Sequence, residues 1–320
     1  LTVIGIGFWV VVGVFGVTFG GNDEVPSIAI IPFDNKGADE DEFYAYSISS
    51  ELISDVTSAG LIRVAGLKDI EKLEYQTLNY SELSEKLLVR YIAQGTLWKV
   101  DSVFQLSMEL YDTKASKVLW SKSWQKEWNE LASIKGSFAD NILKSLKVST
   151  KQDIAKAPTS NTEAYKYYLE AEYKYDKREN MEDMEIARGL YRKAIELDDN
   201  LIKAKFSLGW SYSVTGDYDK AIEIYTPALK QAEELGDKKG IASLLNGIGS
   251  IYLDKGDYDT ALDYNERSLV IAEELGDKYQ IGYSLLGIGV VYDEKGDYNK
   301  ALDYYGRSLA IREELGDKRG

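Results

Sequence analysis

Apolar and polar positions follow three different rhythms along this chain. Residues 1–20, LTVIGIGFWVVVGVFGVTFG, contain no charged side chain. A helix of that length rises about 30 Å, the thickness of a bilayer core, so the run predicts a transmembrane helix over 1–21. It is longer than the apolar core of a secretory leader, and no small-residue cleavage pattern follows it. From 25 to 148 the rhythm changes repeatedly. Ser27 to Phe33 reads as a buried strand, and Ile48, Leu52 and Val56 recur at helical spacing before Gly60. LIRVAG reads as a short strand and SELSEKLLV as a short helix, with Ser81 as its cap. Phe104, Leu106, Met108 and Leu110 alternate with Gln105, Ser107 and Glu109, the period-2 pattern of a half-buried strand. RYIAQGTLWKV before it, turning at Asp101-Ser102, and KVLWSKSWQKEW after it predict a three-stranded meander. Leu131, Ile134, Phe138, Ile142 and Leu146 mark one face of a closing helix. The order βαβαβββα predicts a small sheet with helices packed against it.

Beyond a polar linker at 149–161 only the helical rhythm remains, and the text repeats itself. GDYDK from Gly216 returns as GDYDT from Gly256 and GDYNK from Gly296. LGDK stands at Leu235, Leu275 and Leu315, so each phrase recurs every 40 residues. Ala187, Tyr191 and Ala194 share a spacing with Ala221, Tyr225 and Ala228. It recurs with relaxed third positions at Ala261, Asn265, Ser268 and at Ala301, Tyr305, Ser308. This pattern resembles the tetratricopeptide repeat: a small residue where two helices touch, an aromatic knob, and Ala where the second helix packs close. The resemblance covers 162–320 and implies about four helix pairs, the later ones longer than the usual 34-residue unit. Longer repeats of this kind are similar to those of Pins-like and kinesin-light-chain-like adaptors. Gly216, Gly236, Gly256, Gly276, Gly296 and Gly316 are then structural turns in the left-handed conformation, with the Asp after each one opening the next helix. GDKKG is turn chemistry on this view and not a phosphate loop.

Composition narrows the chemistry. There is no cysteine and no histidine, which excludes disulfides, Cys/His zinc sites, cysteine nucleophiles and histidine bases. The net charge is −15 and no Lys/Arg run appears, so no nucleic-acid partner is expected. The acidic cluster from Asp39 to Glu42 reads as a solvated loop before a helix. Trp98, Trp120, Trp124 and Trp128 could offer a stacking shelf. Trp120 and Trp124, four apart on one strand, share a face and are expected to close the sheet against the last helix. No catalytic residue, cofactor or metal ligand is predicted.

The α/β segment also carries a resemblance. Pro32-Phe33 after the first strand, Ser49-Ser50-Glu51-Leu52 in the helix, Tyr91 to Gly95, Leu110 to Asp112, and Leu119-Trp120 are similar to the TolB N-terminal-like domain. Ser116 stands where that family usually has the hairpin glycine. The resemblance implies a fold and transfers no catalytic residue. The expected architecture is therefore α+β: a transmembrane helix (1–21), a TolB-N-like α/β domain (25–148), a linker (149–161) and an all-α tetratricopeptide solenoid (162–320).

Such arrays bind proteins or peptides on the face made by the first helix of each pair. The repeat register puts Lys203, Phe206, Trp210 and Ser213 there, then Ser243, Asn246 and Ser250, then Tyr283, Leu286 and Asp293. Only Lys203 and Asn246 suit a carboxylate clamp, so an apolar-floored peptide groove is expected instead, with Phe206 and Trp210 as anchors. GGNDEVPS after the apolar run has no Lys or Arg before Lys36, which points the rest of the chain outside the cytoplasm of a bacterial inner membrane. The chain starts at Leu1 and breaks off after Asp317 would open a helix, so flanking sequence on both sides is expected. The function expected is a membrane-anchored, non-catalytic interaction segment. The alternative is the extracytoplasmic part of a cyclase, kinase or winged-helix regulator, since this domain order resembles such proteins.

Overall fold

Ser27–Ile30 (β1) is short and wholly apolar on its inner side because both its neighbours are strands. It pairs in parallel with Arg63–Val64 (β3) on one side and Tyr91–Val100 (β4) on the other. The computed structural model describes residues 25–315, apart from 61, 102, 128–129 and 151–156. The apolar run at 1–20 and Gly316 lie outside the described residues. Among the described residues no helix is long and apolar enough to cross a membrane.

Asp34–Asn35 (β2) also pairs with β4, and Val103–Asp112 (β5) and Lys117–Glu127 (β6) complete an antiparallel meander. The sheet order is β3-β1-β4-β5-β6. Its hairpin corners are tight: Asp101 and Ser116 both take positive φ, 52° and 50°. The second value explains why a glycine would suit position 116, since only Gly enters that region without cost. One face of the sheet is packed. Glu42–Ser58 (α1) brings Tyr44 against Phe104 at 5.1 Å, and Leu131–Ser145 (α4) sets Phe138 against Phe33 and Trp124 at 5.8 and 4.4 Å. Trp124 thus closes the sheet on the last helix as the spacing predicts. Trp98, on the opposite face, is about half exposed at 48%.

Two local expectations are corrected. Tyr80–Leu87 (α3) is capped by Asn79 and not by Ser81: Asn79 accepts from the amides of Ser81 and Glu82, and Glu82 accepts from the Asn79 amide, a full capping box. Asp41 is not solvated like the rest of its acidic cluster. It is buried and paired with Lys99 at 2.8 Å, which covers the start of α1. The remaining helix of this unit is Leu67–Glu71 (α2).

Among the described residues eight helices follow in four pairs: Thr162–Asp176 and Met181–Leu197 (α5, α6), Ile202–Ser213 and Tyr218–Leu235 (α7, α8), Lys238–Asp254 and Tyr258–Leu275 (α9, α10), Lys278–Glu294 and Tyr298–Leu315 (α11, α12). Gly216, Gly236, Gly256, Gly276 and Gly296 all have φ between 66° and 80°. The knob positions are equally clear. A Cβ on Gly209 would stand 2.3 Å from the Tyr225 ring, and one on Gly247 would stand 2.8 Å from its other edge. The glycines are therefore the floor on which the knob sits. The refrain LGDK gains a further role. Lys238 pairs with Glu274 and Lys278 with Glu314, each joining the start of a pair's first helix to the end of its second, though such exposed pairs add little.

Candidate binding site on the first-helix face of the array

Helix α1 was legible as amphipathic, with Ile48, Leu52 and Val56 fully buried under the sheet. Its other side is buried too. Ser47, Glu51, Asp55 and Ser58 recur at helical spacing, and each is no more than 6% exposed. They are covered by the repeat array. The Ser47 hydroxyl donates to the Leu169 carbonyl of α5 at 2.7 Å. Glu51 accepts from Tyr165 of α5 at 2.5 Å and is paired with Lys203 of α7 at 2.8 Å and Lys135 of α4 at 3.3 Å. Asp55 is paired with Lys135 at 2.7 Å and lies 3.8 Å from Lys239 of α9, whose ammonium donates to the Ser58 hydroxyl at 2.9 Å. At the end of α1, Gly60 (φ 105°) lies so close to the α10–α11 turn that a Cβ there would stand 3.3 Å from the Gly276 carbonyl. One helix of the α/β unit thus runs along the first helices of all four pairs.

Glu51 and Lys203 hold each other ionised. Burial alone would raise the Glu51 carboxyl, but the Lys135 and Lys203 ammonium groups and the hydrogen bonds from Lys203 and Tyr165 outweigh it, and it falls well below the usual carboxylate range. Burial likewise opposes the charge on Lys203, yet Glu51 and Asp55 win and its pKa rises. Lys239 goes the other way: burial lowers it more than Asp55 raises it. Glu172, one turn beyond Tyr168 on α5, forms no ion pair among the described residues. Burial pushes it up to about 7, against hydrogen bonds from Ser207 and Tyr191, both at 2.7 Å.

Where α1 ends, the face is not filled. A cavity of about 750 Å³ opens between the two units. Phe206, Trp210, Ser243, Asn246, Ser250 and Tyr283 line its array side, so six of the ten residues placed on this face by the repeat register come together in one site. Phe206 and Trp210 stack with ring centroids 6.5 Å apart. Four register residues do not join them. Lys203 is consumed by Glu51. Ser213 is buried at 8% exposure, Leu286 is half-buried without reaching the cavity, and Asp293 is exposed beyond it beside the Tyr305 hydroxyl. The register treats the array as free-standing. The opposite wall was not foreseen: Ile53, Thr57, Arg63, Leu67, Lys86 and Leu87 come from the α/β unit. Nothing in the repeat spacing points to them. The one available signal was the polar stripe on α1.

Residues 201–273 and 240–314 match the family model for the tetratricopeptide repeat. These segments are tetratricopeptide repeats. A putative adenylate cyclase 3 of Rhizobium meliloti is 24% identical over 188 residues, which is 57% of this chain and 32% of its own length. The chain thus spans about a third of that relative. Among solved structures, aspartyl phosphate phosphatase F from Bacillus subtilis superposes with a TM-score of 0.45 at 18% identity, over 60% of this chain and 52% of its own. TolB from Acinetobacter baumannii gives 0.30 at 17% identity, over 39% and 29%. Likenesses this slight assign no family to the α/β unit.

Proposed function

We propose that this chain is a non-catalytic interaction segment, a scaffold or sensor, of a bacterial membrane signalling or envelope protein. Its tetratricopeptide repeats form a protein-interaction architecture. The observation that carries the reading is the apolar-floored cavity where Phe206, Trp210 and Asn246 meet on the first-helix face. The α/β unit would serve as a TolB-N-like module, on the strength of the residues quoted for it. The uncharged run at 1–20 would anchor the chain in the inner membrane, with the rest outside the cytoplasm. Partial similarity to a putative adenylate cyclase favours a second reading, in which this segment is the sensory part of a cyclase or a comparable regulator.

A photo-crosslinking side chain at Ser250 should capture a protein or peptide in cells, while the same probe at Arg267, exposed on a second helix, should not. Equal labelling at both positions contradicts the assignment of the face. The anchor has its own test: the full chain should resist carbonate extraction from membranes, and release by carbonate rules the spanning helix out.

A further inference from the structure

The sheet has a second face, turned away from its core, and that face is organised in rows. In the β4–β5–β6 meander directly opposed residues share a face, as do residues two apart along a strand. Trp98 stands opposite Gln105, and Gln105 opposite Gln125, so an indole and two amides form one row about 10 Å long. The next row is Thr96, Ser107 and Ser123, with the Thr96 and Ser107 hydroxyls hydrogen-bonded at 2.7 Å. On the other side of Trp98, Val100 opposes Val103. Trp98 and Val100 are half exposed, and Gln105, Ser123 and Gln125 are exposed beside them. A shallow depression of about 320 Å³ runs from Trp98 across Gln105 to Gln125, with Asp101 at the hairpin corner. The far end of the same face is closed. Tyr80 of α3 packs on Tyr111 with ring centroids 4.7 Å apart and donates to the Glu109 carboxylate, and Ile92 is fully buried.

The chemistry of these rows selects an occupant. No cation stands on them, and Lys36 at the β2 margin is paired with Asp34. Asp101 and Glu127 border the row of Trp98, so an anion or a nucleic acid meets no attraction here. An apolar protein surface laid on Trp98 would bury the Gln105 and Gln125 amides without partners, at a cost. A pyranose ring has the complementary form. Its flat side is a patch of C–H groups, weakly positive, that suits the negative face of an indole. Its rim is hydroxyls that donate and accept, as amide and hydroxyl side chains do.

We infer that the open face of the meander is a platform for a neutral oligosaccharide. One sugar ring stacks on Trp98. Its hydroxyls exchange hydrogen bonds with Gln105 and Gln125 along the row, and the neighbouring ring lies toward Ser107 and Ser123. The site belongs to the α/β unit alone and is separate from the junction cavity.

The test is saturation-transfer NMR on the full chain in a zwitterionic, sugar-free detergent, with cellohexaose and chitohexaose as probes. Saturation should enter through the C–H protons of one flat side of the ring. W98A should weaken binding about tenfold or more, the scale of one lost stacking partner, while W98Y keeps most of it. Q125L should weaken binding about 2- to 10-fold, as for one neutral hydrogen bond, and carries the test if W98A fails to fold. No transfer to either probe, binding unchanged in both W98A and Q125L, or binding lost in W210A and kept in W98A overturns the inference. A photo-crosslinking side chain at Gln125 that captures a protein in cells, with neither probe bound, also overturns it and makes this face a protein contact. None of these results touches the interaction role proposed for the repeats.

Discussion

The first-helix face of the array is finished in two opposite ways. Over α5 and α7 it is closed by α1, and the closure is polar: Glu51 and Asp55 sit among Lys135, Lys203 and Tyr165. From Phe206 and Trp210 across α9 to α11 it is open, and the lining is largely apolar with one unpaired amide. The same repeat produces both ends, so the difference lies in what is laid on it. Charge networks in a low-dielectric junction fix one arrangement, because a displaced partner leaves an uncompensated charge. An apolar cavity exacts no such register and can accept a guest. The closed half sets the docking, and the open half carries the proposed site.

The closed half should respond most strongly to substitution. Glu51→Ala leaves Lys203 without its carboxylate and Lys135 with Asp55 alone. A loss of about 3–5 kcal/mol in urea unfolding is expected, as for breaking a buried ion pair. A change within about 0.5 kcal/mol would mean that α1 is not held in the array.

Turns belong to both halves and should behave alike. Gly216 and Gly256 have φ of 80° and 77°, and a Cβ on either meets no atom within 4 Å. Gly→Val at each should therefore cost about 1–3 kcal/mol from backbone strain alone, with Gly→Ala milder. Unequal costs would show that docking of α1 adds to the nearer turn.

Proton linkage distinguishes the halves further. Glu172, beneath the closed half, is raised from 4.5 to about 7 by burial. Between those values the folded chain holds a proton that the unfolded chain has released. Its contribution to stability is therefore complete below pH 4.5 and is lost as pH rises through 7. Glu172→Gln should remove this slope and leave the variant relatively more stable by about 1–3 kcal/mol at pH 8. Parallel pH profiles for the two proteins would contradict a raised Glu172 carboxyl. Glu51 has the opposite sign, since its lowered pKa contributes stability that disappears as pH falls. The smallest effect is expected in the open half. Trp210→Ala should change stability by about 1 kcal/mol or less while abolishing crosslinking from Ser250. A loss of several kcal/mol would make Trp210 a core residue.

Much of the architecture was legible in short-range pattern. The turn glycines, the knob at Tyr225 and the alternation from Phe104 to Leu110 all follow from local periodicity, and local periodicity is written in the sequence. The cap of α3 was misplaced by two residues because Ser81 and Asn79 are both good caps, and only the reciprocal bond from Glu82 decides between them. The docking was not legible for a different reason. Glu51 and Lys203 are 152 positions apart, and on either helix alone such a residue looks like an ordinary solvated charge. A polar stripe is read as surface unless its partner is known. The cavity inherits this blindness: its array wall could be listed from the register, whereas Arg63 and Lys86 enter only once α1 is laid in place.

The decisive measurement is a double-mutant cycle between Glu51→Gln and Lys203→Met, read by urea unfolding of the full chain in detergent. The two side chains meet at 2.8 Å only if α1 lies along the first helices of the array. A coupling energy of about 1–3 kcal/mol is predicted for a partly buried pair in one network. Additive effects, with coupling near zero, would show that the two units do not dock in this way, and the junction cavity would have no walls.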